Sequence, residues 1–242
     1  MSYRILIFDL DDTLIDNKEN VRTAFRKMLK AENRNYSDDE FERWYHIDRN
    51  FWRDWQDGKI ELPDKLKNET GKKSDEFLDW VRSQRVLIYF DNAISPEKAI
   101  ELNNLYMNAL TETVITIDGA SETLKYLHDK YRIIVATNGP QVATRQKLEK
   151  IGALDFVTEV LSADMFGYMK PKIEFFEAIE KRYEDYDRSD YLIIGDSLKS
   201  DVGFGKVAGI DSCWFDKDDE KLTSEYEPTY VISKLVELKK IL

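Results

Sequence analysis

Four short apolar runs rich in Ile and Val, at residues 5–8, 133–136, 156–161 and 191–194, are separated by longer amphipathic segments. Such runs are typical of strands buried on both faces, and the intervening segments are typical of crossover helices. The pattern predicts an α/β fold with a Rossmann-like parallel sheet. Further runs at 210–215 and 230–232 could add a fifth strand and an edge strand, and residues 140–151 and 172–184 are predicted helices.

The first two predicted strands are separated by residues 9–132, far more than one crossover helix requires. We therefore predict an all-helical cap subdomain over residues 17–114, inserted into a core formed by residues 1–16 and 115–242. Helix starts are predicted at Ser37, whose capping box includes Glu40, at Ser74 and at Ser95. An aromatic stripe at helical spacing is interpreted as helix core, with a ligand-stacking surface as the alternative; it comprises Phe41, Trp44, Tyr45, Phe51, Trp52 and Trp55.

The composition limits the classes of function. A net charge of −11 argues against nucleic-acid binding, although a small anionic ligand can still bind where a metal ion or a few donors compensate. The sequence has no run of about 18 apolar residues and no signal-peptide pattern, so we expect a cytoplasmic protein that does not bind membranes. We expect a monomer or a weak dimer. The single cysteine, Cys213, is predicted to be buried, and the two histidines, His46 and His128, argue against histidine-based nucleophilic catalysis.

Polar residues follow the ends of the predicted strands. In an open parallel sheet, ligands bind beyond the carboxyl ends of the strands, so residues distant in sequence can share one pocket. The first strand is followed by Asp9, Asp11 and Thr13, and the second by Thr137-Asn138-Gly139. Lys170-Pro171 precedes a predicted helix, while Gly195-Asp196-Ser197 follows the fourth strand, with Asp201 five residues after Asp196.

Neighbouring carboxylates repel one another unless a cation compensates their charge. A hard divalent cation turns such carboxylates into favourable oxygen ligands, so we predict a Mg²⁺ site with Asp9 and Asp196 as its natural pair. If extended backbone continues beyond Phe8, Asp9, Asp11 and Thr13 point to one side and Asp12 to the other. Asp12 would then cap a turn or a helix.

The same residues suit phosphoryl transfer. One carboxylate near a cation can attack an electrophile while a second one moves a proton, and Lys170, Thr137 and the amides of residues 138 and 139 could hold phosphate oxygens. Each residue alone has another explanation, because Asp196 could cap a helix, Lys170 could be solvated and residues 137–139 could form a simple turn. Their combination at four strand ends favours a functional site.

The motifs DLDDT (9–13), TN (137–138), KP (170–171) and GDSLKSD (195–201) resemble the four motifs of the haloacid dehalogenase superfamily. The resemblance implies that Asp9 is a nucleophile forming an aspartyl-phosphate and that Asp11 is the general acid and base. It also implies that phosphate is bound by Thr137, Asn138 and Lys170, that Mg²⁺ is held by Asp9, Asp196 and the Asp11 carbonyl, and that Asp201 supports the metal ligands. A helical cap after the first motif is another feature of this superfamily.

Three further segments are similar to the branch of pyrimidine-nucleotide 5'-phosphatases: RNFWRDWQDGKI (49–60), TNGPQVATRQKLEKIG (137–152) and DSCWF (211–215). Pro140 and Asp164 depart from this pattern. The predicted function is a magnesium-dependent phosphatase of a small phosphorylated metabolite, with a nucleoside 5'-monophosphate favoured. The alternatives are a phosphatase of phosphoglycolate or a sugar phosphate, a phosphomutase, and a non-catalytic binding protein. A dehalogenase would require neither Asp11 nor Asp196.

Overall fold

The chain divides into two compact units, one formed by Met1–Asn17 with Val114–Leu242 and the other by Lys18–Thr113. We call them the sheet unit and the helical unit. The computed structural model describes residues 3–67, 74–217, 222 and 225–242. Among these residues, no helix combines the length and the apolar character needed to cross a bilayer. The function of residues 17–114 as a cap stays a prediction.

The helical unit contains α2 to α5 and most of α1. The helices span Asn17–Ala31 (α1), Asp38–Gln56 (α2), Asp64–Lys67 (α3), Asp75–Tyr89 (α4) and Pro96–Glu112 (α5). The predicted starts of α2, α4 and α5 are confirmed, because the hydroxyls of Ser37, Ser74 and Ser95 each accept a hydrogen bond from the backbone N–H three residues later.

The aromatic stripe of α2 packs inside the helical unit. Phe41 and Trp44 are fully buried in its main core, where the Trp44 ring stacks on Phe25 with centroids 5.6 Å apart. Phe51 lies in a second, smaller core. The remaining aromatic residues of the stripe are partly buried against these two cores; they are Tyr45, Trp52 and Trp55. The interpretation of the stripe as helix core is therefore confirmed.

Where the structure describes the sheet unit, it contains six parallel strands in the order β3-β2-β1-β4-β5-β6. They span Ile5–Phe8 (β1), Arg132–Thr137 (β2), Glu159–Ser162 (β3), Tyr191–Gly195 (β4), Asp211–Phe215 (β5) and Tyr230–Ile232 (β6). The predicted α/β fold is confirmed. The predicted start of the third strand at residue 156 was wrong, since the N–H groups of Phe156 and Val157 bond to the carbonyls of Ala153 and Leu154 in a tight helical turn.

Helices and short turns complete the sheet unit. The α-helices span Ala120–Leu127 (α6), Gln141–Lys150 (α7), Ala163–Phe166 (α8), Ile173–Glu180 (α9), Gly203–Ala208 (α10) and Leu238–Ile241 (α11), and a π-helical turn spans Leu198–Val202. Both faces of the sheet are buried: Leu6 and Phe8 of β1 belong to one apolar core, whereas Ile5 and Ile7 belong to the other. Burial on both faces explains why the strand runs are continuously apolar.

Candidate active site

The polar residues predicted to share a site come together at one end of the sheet. Because β1, β2 and β4 are parallel neighbours, the segments that follow them meet at the same edge. One pocket at this edge is lined by Asp9, Asp11, Thr137, Asn138, Gly139, Asp196, Ser197, Ser200 and Asp201. Lys170 lies against two of these side chains. All the residues proposed from the sequence as catalytic, phosphate-binding or metal-binding therefore line this pocket or contact its wall.

The chain turns sharply after β1. Asp9 still donates its N–H to the Ile194 carbonyl at 2.9 Å, but the Leu10 carbonyl then accepts from the N–H groups of residues 13, 14 and 15, and Asp12 has a φ of 65°. The condition of extended backbone beyond Phe8 is therefore not met, because these bonds close a turn in its place. The Asp12 carboxylate accepts a hydrogen bond from Lys217 Nζ at 2.8 Å.

Lys170 connects two of the aspartates. Its Nζ lies 2.8 Å from Asp9 Oδ1 and 2.6 Å from Asp201 Oδ1, and its side chain is fully buried. Burial by itself lowers the pKa of a lysine, but the Asp201 and Asp9 carboxylates outweigh this effect, so the pKa of Lys170 is raised above its ordinary value. The alternative of a solvated Lys170 is therefore excluded, and the buried ammonium remains charged.

Asn138 fixes the backbone at Lys170 through a pair of hydrogen bonds. The Lys170 N–H donates to Asn138 Oδ1 at 2.7 Å, and Asn138 Nδ2 donates to the Lys170 carbonyl at 3.1 Å. In the same loop, Thr137 Oγ1 accepts from the Gly139 N–H at 3.0 Å. The Gly139 amide thus has a partner within the loop, while the Thr137 hydroxyl keeps its own hydrogen for donation.

The Asp196 carboxylate is held by a buried threonine. Thr13 Oγ1 donates to Asp196 Oδ1 at 3.1 Å and accepts from the Asp196 N–H at 3.0 Å. The following π-helical turn is capped by Ser197, whose Oγ accepts from the Ser200 N–H at 3.1 Å. This cap is supplied by Ser197, so the helix-cap alternative does not account for the partly buried carboxylate of Asp196.

Gly195 leaves the room that Asp201 occupies. A Cβ atom on Gly195 would lie 2.2 Å from Asp201 Oδ2 and 2.6 Å from Asp201 Cβ, distances at which atoms overlap. Asp201 is almost fully buried, and its Oδ2 also accepts from the Ser197 N–H at 3.0 Å. A side chain at position 195 would therefore displace the carboxylate that binds Lys170.

Asp9, Asp196 and Asp201 have the donor set of a hard-cation site. Each offers one carboxylate oxygen, and these oxygens lie within 4.8 Å of one another. Burial, followed by the charges of Asp201 and Asp12, raises the pKa of Asp196 to about 7. Burial also raises the pKa of Asp9 well above its ordinary value, despite the nearby Lys170. Such destabilised carboxylates fit a divalent cation, which would relieve their repulsion.

Two lysines in this region were not predicted from the sequence. Lys147 Nζ lies 2.7 Å from Asp11 Oδ1, and Lys217 Nζ lies 2.8 Å from Asp12 Oδ1. Lys147 shares the buried face of α7 with Thr144 and Leu148. The available signal was a lysine three residues after Thr144 and next to Leu148 on one helix face, because buried lysines are almost always paired. Lys217 follows β5 without a comparable pattern.

A family model for haloacid dehalogenase-like hydrolases matches residues 3–209. The chain belongs to this family. Membership confirms the resemblance drawn from the four motifs, and it makes the chain a hydrolase.

Several relatives extend over nearly the whole chain. The HAD-hydrolase YfnB of Bacillus subtilis is 29% identical, covering 99% of this chain and 95% of the relative. The crystal structure of orthorhombic YfnB bound to magnesium has a TM-score of 0.86 at 28% identity, covering 100% of this chain and 99% of that chain. The pyrimidine 5'-nucleotidase YjjG of Escherichia coli is 25% identical, covering 100% of this chain and 99% of the relative. The pyrimidine 5'-nucleotidase PynA of Streptococcus pneumoniae is 27% identical, covering 96% of this chain and 92% of the relative.

Proposed function

We propose that this hydrolase is a magnesium-dependent phosphatase that cleaves a small phosphomonoester through an aspartyl-phosphate on Asp9. The observation that carries the proposal is the arrangement of two aspartates in one pocket. Asp9 is bound at Oδ1 by the buried ammonium of Lys170, and Asp11 lines the same pocket two residues later. A nucleophile and a proton carrier in one pocket are the groups that such a reaction needs.

The proposed metal ligands are Asp9, Asp196 and the carbonyl of Asp11, with Asp201 supporting them. The clustered oxygens of Asp9, Asp196 and Asp201 support this assignment, as does the magnesium bound to YfnB. When bound, the ion supplies positive charge against the phosphoryl oxygens. Lys170 supplies further positive charge, and because an ammonium has three hydrogens, one remains for a phosphate oxygen after its bonds to Asp9 and Asp201. The Thr137 hydroxyl is a second proposed phosphate donor.

The proposed reaction has two steps. In the first, an Asp9 carboxylate oxygen attacks phosphorus, the bond from phosphorus to the leaving oxygen breaks, and Asp11 donates a proton to that oxygen. In the second, Asp11 accepts a proton from water as the water attacks phosphorus, and the bond from phosphorus to Asp9 breaks. The products are an alcohol and inorganic phosphate, and Asp11 regains the proton that it donated.

A nucleoside 5'-monophosphate is the proposed substrate class. The names of YjjG and PynA, both pyrimidine 5'-nucleotidases, support it. The test is phosphate release from nucleoside 5'-monophosphates, sugar phosphates and phosphoglycolate, each with magnesium and with a chelator. We expect magnesium-dependent release, fastest with a nucleotide. Turnover that survives chelation would contradict the metal assignment, and phosphate transfer to a sugar in place of water would indicate a phosphomutase.

The nucleophile is tested by Asp9→Asn, which keeps the side-chain shape and removes the attacking carboxylate. We expect hydrolysis to be abolished while the circular dichroism spectrum is unchanged. Asp155→Asn is the matched control, because Asp155 is an exposed aspartate of the same unit, far from the pocket residues in sequence. Near-normal turnover by Asp9→Asn would refute the assignment of the nucleophile.

A further inference from the structure

Helix α7 carries a lysine on its buried face. Lys147 lies there beside Thr144 and Leu148, and its side chain is only 8% exposed. Burying an ammonium is unfavourable unless an anion compensates it. Lys147 Nζ lies 2.7 Å from Asp11 Oδ1, and within the described part of the chain this is the ion pair that Lys147 forms. The fold thus places a buried cation against one carboxylate of the pocket.

The lysine contacts Asp11 without lining the pocket itself. Asp11 belongs to the pocket wall and its side chain is one-third exposed, whereas Lys147 is absent from the residues that line that pocket. The other carboxylate oxygen, Asp11 Oδ2, lies beside Gly139, since a Cβ atom on that glycine would be 3.8 Å from it. Gly139 does line the pocket. Lys147 therefore binds one oxygen and leaves the second on the pocket side.

The same arrangement occurs at the proposed nucleophile. Lys170 binds Asp9 at Oδ1, and Lys147 binds Asp11 at Oδ1. A carboxylate on a short side chain can rotate about two bonds, and proton transfer requires an oxygen within hydrogen-bonding distance of the reacting atom. A single strong contact to one oxygen limits both rotations. Misplacement of a reacting group by about 1 Å can cost about 100-fold in rate.

We propose that Lys147 is a positioning residue that orients the Asp11 carboxylate for proton transfer to and from the substrate. This inference rests on the proposed phosphatase function. In the first step Asp11 gives its proton to the oxygen whose bond to phosphorus breaks. In the second it takes a proton from the attacking water while the phosphorus–Asp9 bond breaks. Lys147 gains and loses no proton in either step.

The leaving group provides the readout. A nitrophenolate leaves as a stable anion and needs no proton, whereas an alkoxide needs one. We would compare the wild-type protein with Lys147→Met, which keeps the side-chain length and removes the charge, and with Lys147→Arg. Lys150→Met is the matched control, since Lys150 is exposed on the same helix. The assays are the pre-steady-state burst of nitrophenolate from p-nitrophenyl phosphate and the steady-state turnover of an alkyl phosphate, both with magnesium.

For Lys147→Met we expect alkyl phosphate turnover to fall about 10- to 100-fold, with a nitrophenolate burst rate within about twofold of wild type. Lys147→Arg should restore most of the turnover, and Lys150→Met should equal wild type. An equal loss in both assays, or no loss in either, would overturn the inference and leave the proposed function standing. Absence of turnover by the wild-type protein with every phosphomonoester would overturn both.

A double variant keeps the test decisive if Lys147→Met folds poorly. In the Asp11→Asn background the carboxylate is already gone, so adding Lys147→Met should leave the nitrophenolate burst unchanged. A merely structural lysine would lower the burst rate of Asp11→Asn as well. That result would contradict a positioning role of Lys147 toward Asp11. So would a Lys147→Arg variant that folds normally but turns over alkyl phosphate as slowly as Lys147→Met.

Discussion

Replacing Lys170 by Met should destabilise the sheet unit strongly, because it removes the cation shared by the buried carboxylate of Asp201 and the mostly buried carboxylate of Asp9. Lys170 donates to Asp9 at 2.8 Å and to Asp201 at 2.6 Å. Hydrogen bonds to charged groups contribute about 1.5 to 3 kcal/mol each, which gives about 3 to 6 kcal/mol for the pair. Breaking a buried ion pair by removing one partner costs about 3 to 5 kcal/mol. Asp9 can take up a proton instead of remaining charged. We therefore expect Lys170→Met to lower the free energy of unfolding by about 3 kcal/mol.

The measurement is native-state hydrogen exchange of the β1 and β4 amides at pH 7 with a chelator present, because these amides report opening of the sheet unit itself. Lys172→Met is the control, since Lys172 is exposed two residues away, and its effect should stay within about 0.5 kcal/mol. Adding Asp201→Asn to Lys170→Met should recover part of the loss, because it removes one of the two orphaned charges. A loss below about 1 kcal/mol, or a further loss in the double variant, would refute uncompensated charge as the cause.

Two other perturbations follow from the geometry. Gly195→Ala should displace Asp201 and lower both the hydrogen-exchange protection of β4 and the phosphatase turnover. Gly203→Ala is the control and should be tolerated, because its Cβ would meet nothing closer than 3.4 Å. Equal effects of the two substitutions would contradict the steric argument. Cys213 is buried, and burial raises its pKa to about 12. Iodoacetamide at pH 8 should therefore label the protein only after denaturation, as mass spectrometry would show, and rapid labelling of the native protein would contradict the burial.

The sheet was predictable because its strands are buried on both faces. A strand such as β1, with Ile5 and Ile7 in one core and Leu6 and Phe8 in the other, has to be apolar at every position, and such runs are visible in the sequence. The site motifs were predictable for a related reason. Parallel strands bring their carboxyl ends to one edge, so polar residues after different strands become neighbours whatever their separation along the chain.

Local backbone geometry was less predictable. No pattern in the sequence indicated that hydrogen bonds to the Leu10 carbonyl would end the extended backbone, so the condition for an alternation of residues 9 to 13 is not met. The third strand begins later than predicted because the N–H groups of Phe156 and Val157 are used in a turn. In both cases the same backbone N–H groups could form either turn or strand hydrogen bonds, and tertiary context determines which of them form. Apolar periodicity carries no information about that choice.

The charge balance of the site explains both the unpredicted lysines and the proposed metal. Asp9 and Asp201 share Lys170, Asp11 has Lys147, and Asp12 has Lys217. Asp196 has Thr13 as its side-chain partner, and within the described residues no lysine forms an ion pair with it.

If all five carboxylates are ionised, they face three ammonium groups among the described residues, which leaves two negative charges unmatched. Burial raises the pKa of Asp196 to about 7, and the neighbouring charges of Asp201 and Asp12 add to this effect. One divalent cation supplies the two missing charges, and a hard cation bound by oxygen atoms is the form in which buried carboxylates accept them most readily. Distant lysines therefore balance part of the charge of the DLDDT segment, and the proposed ion would balance the rest.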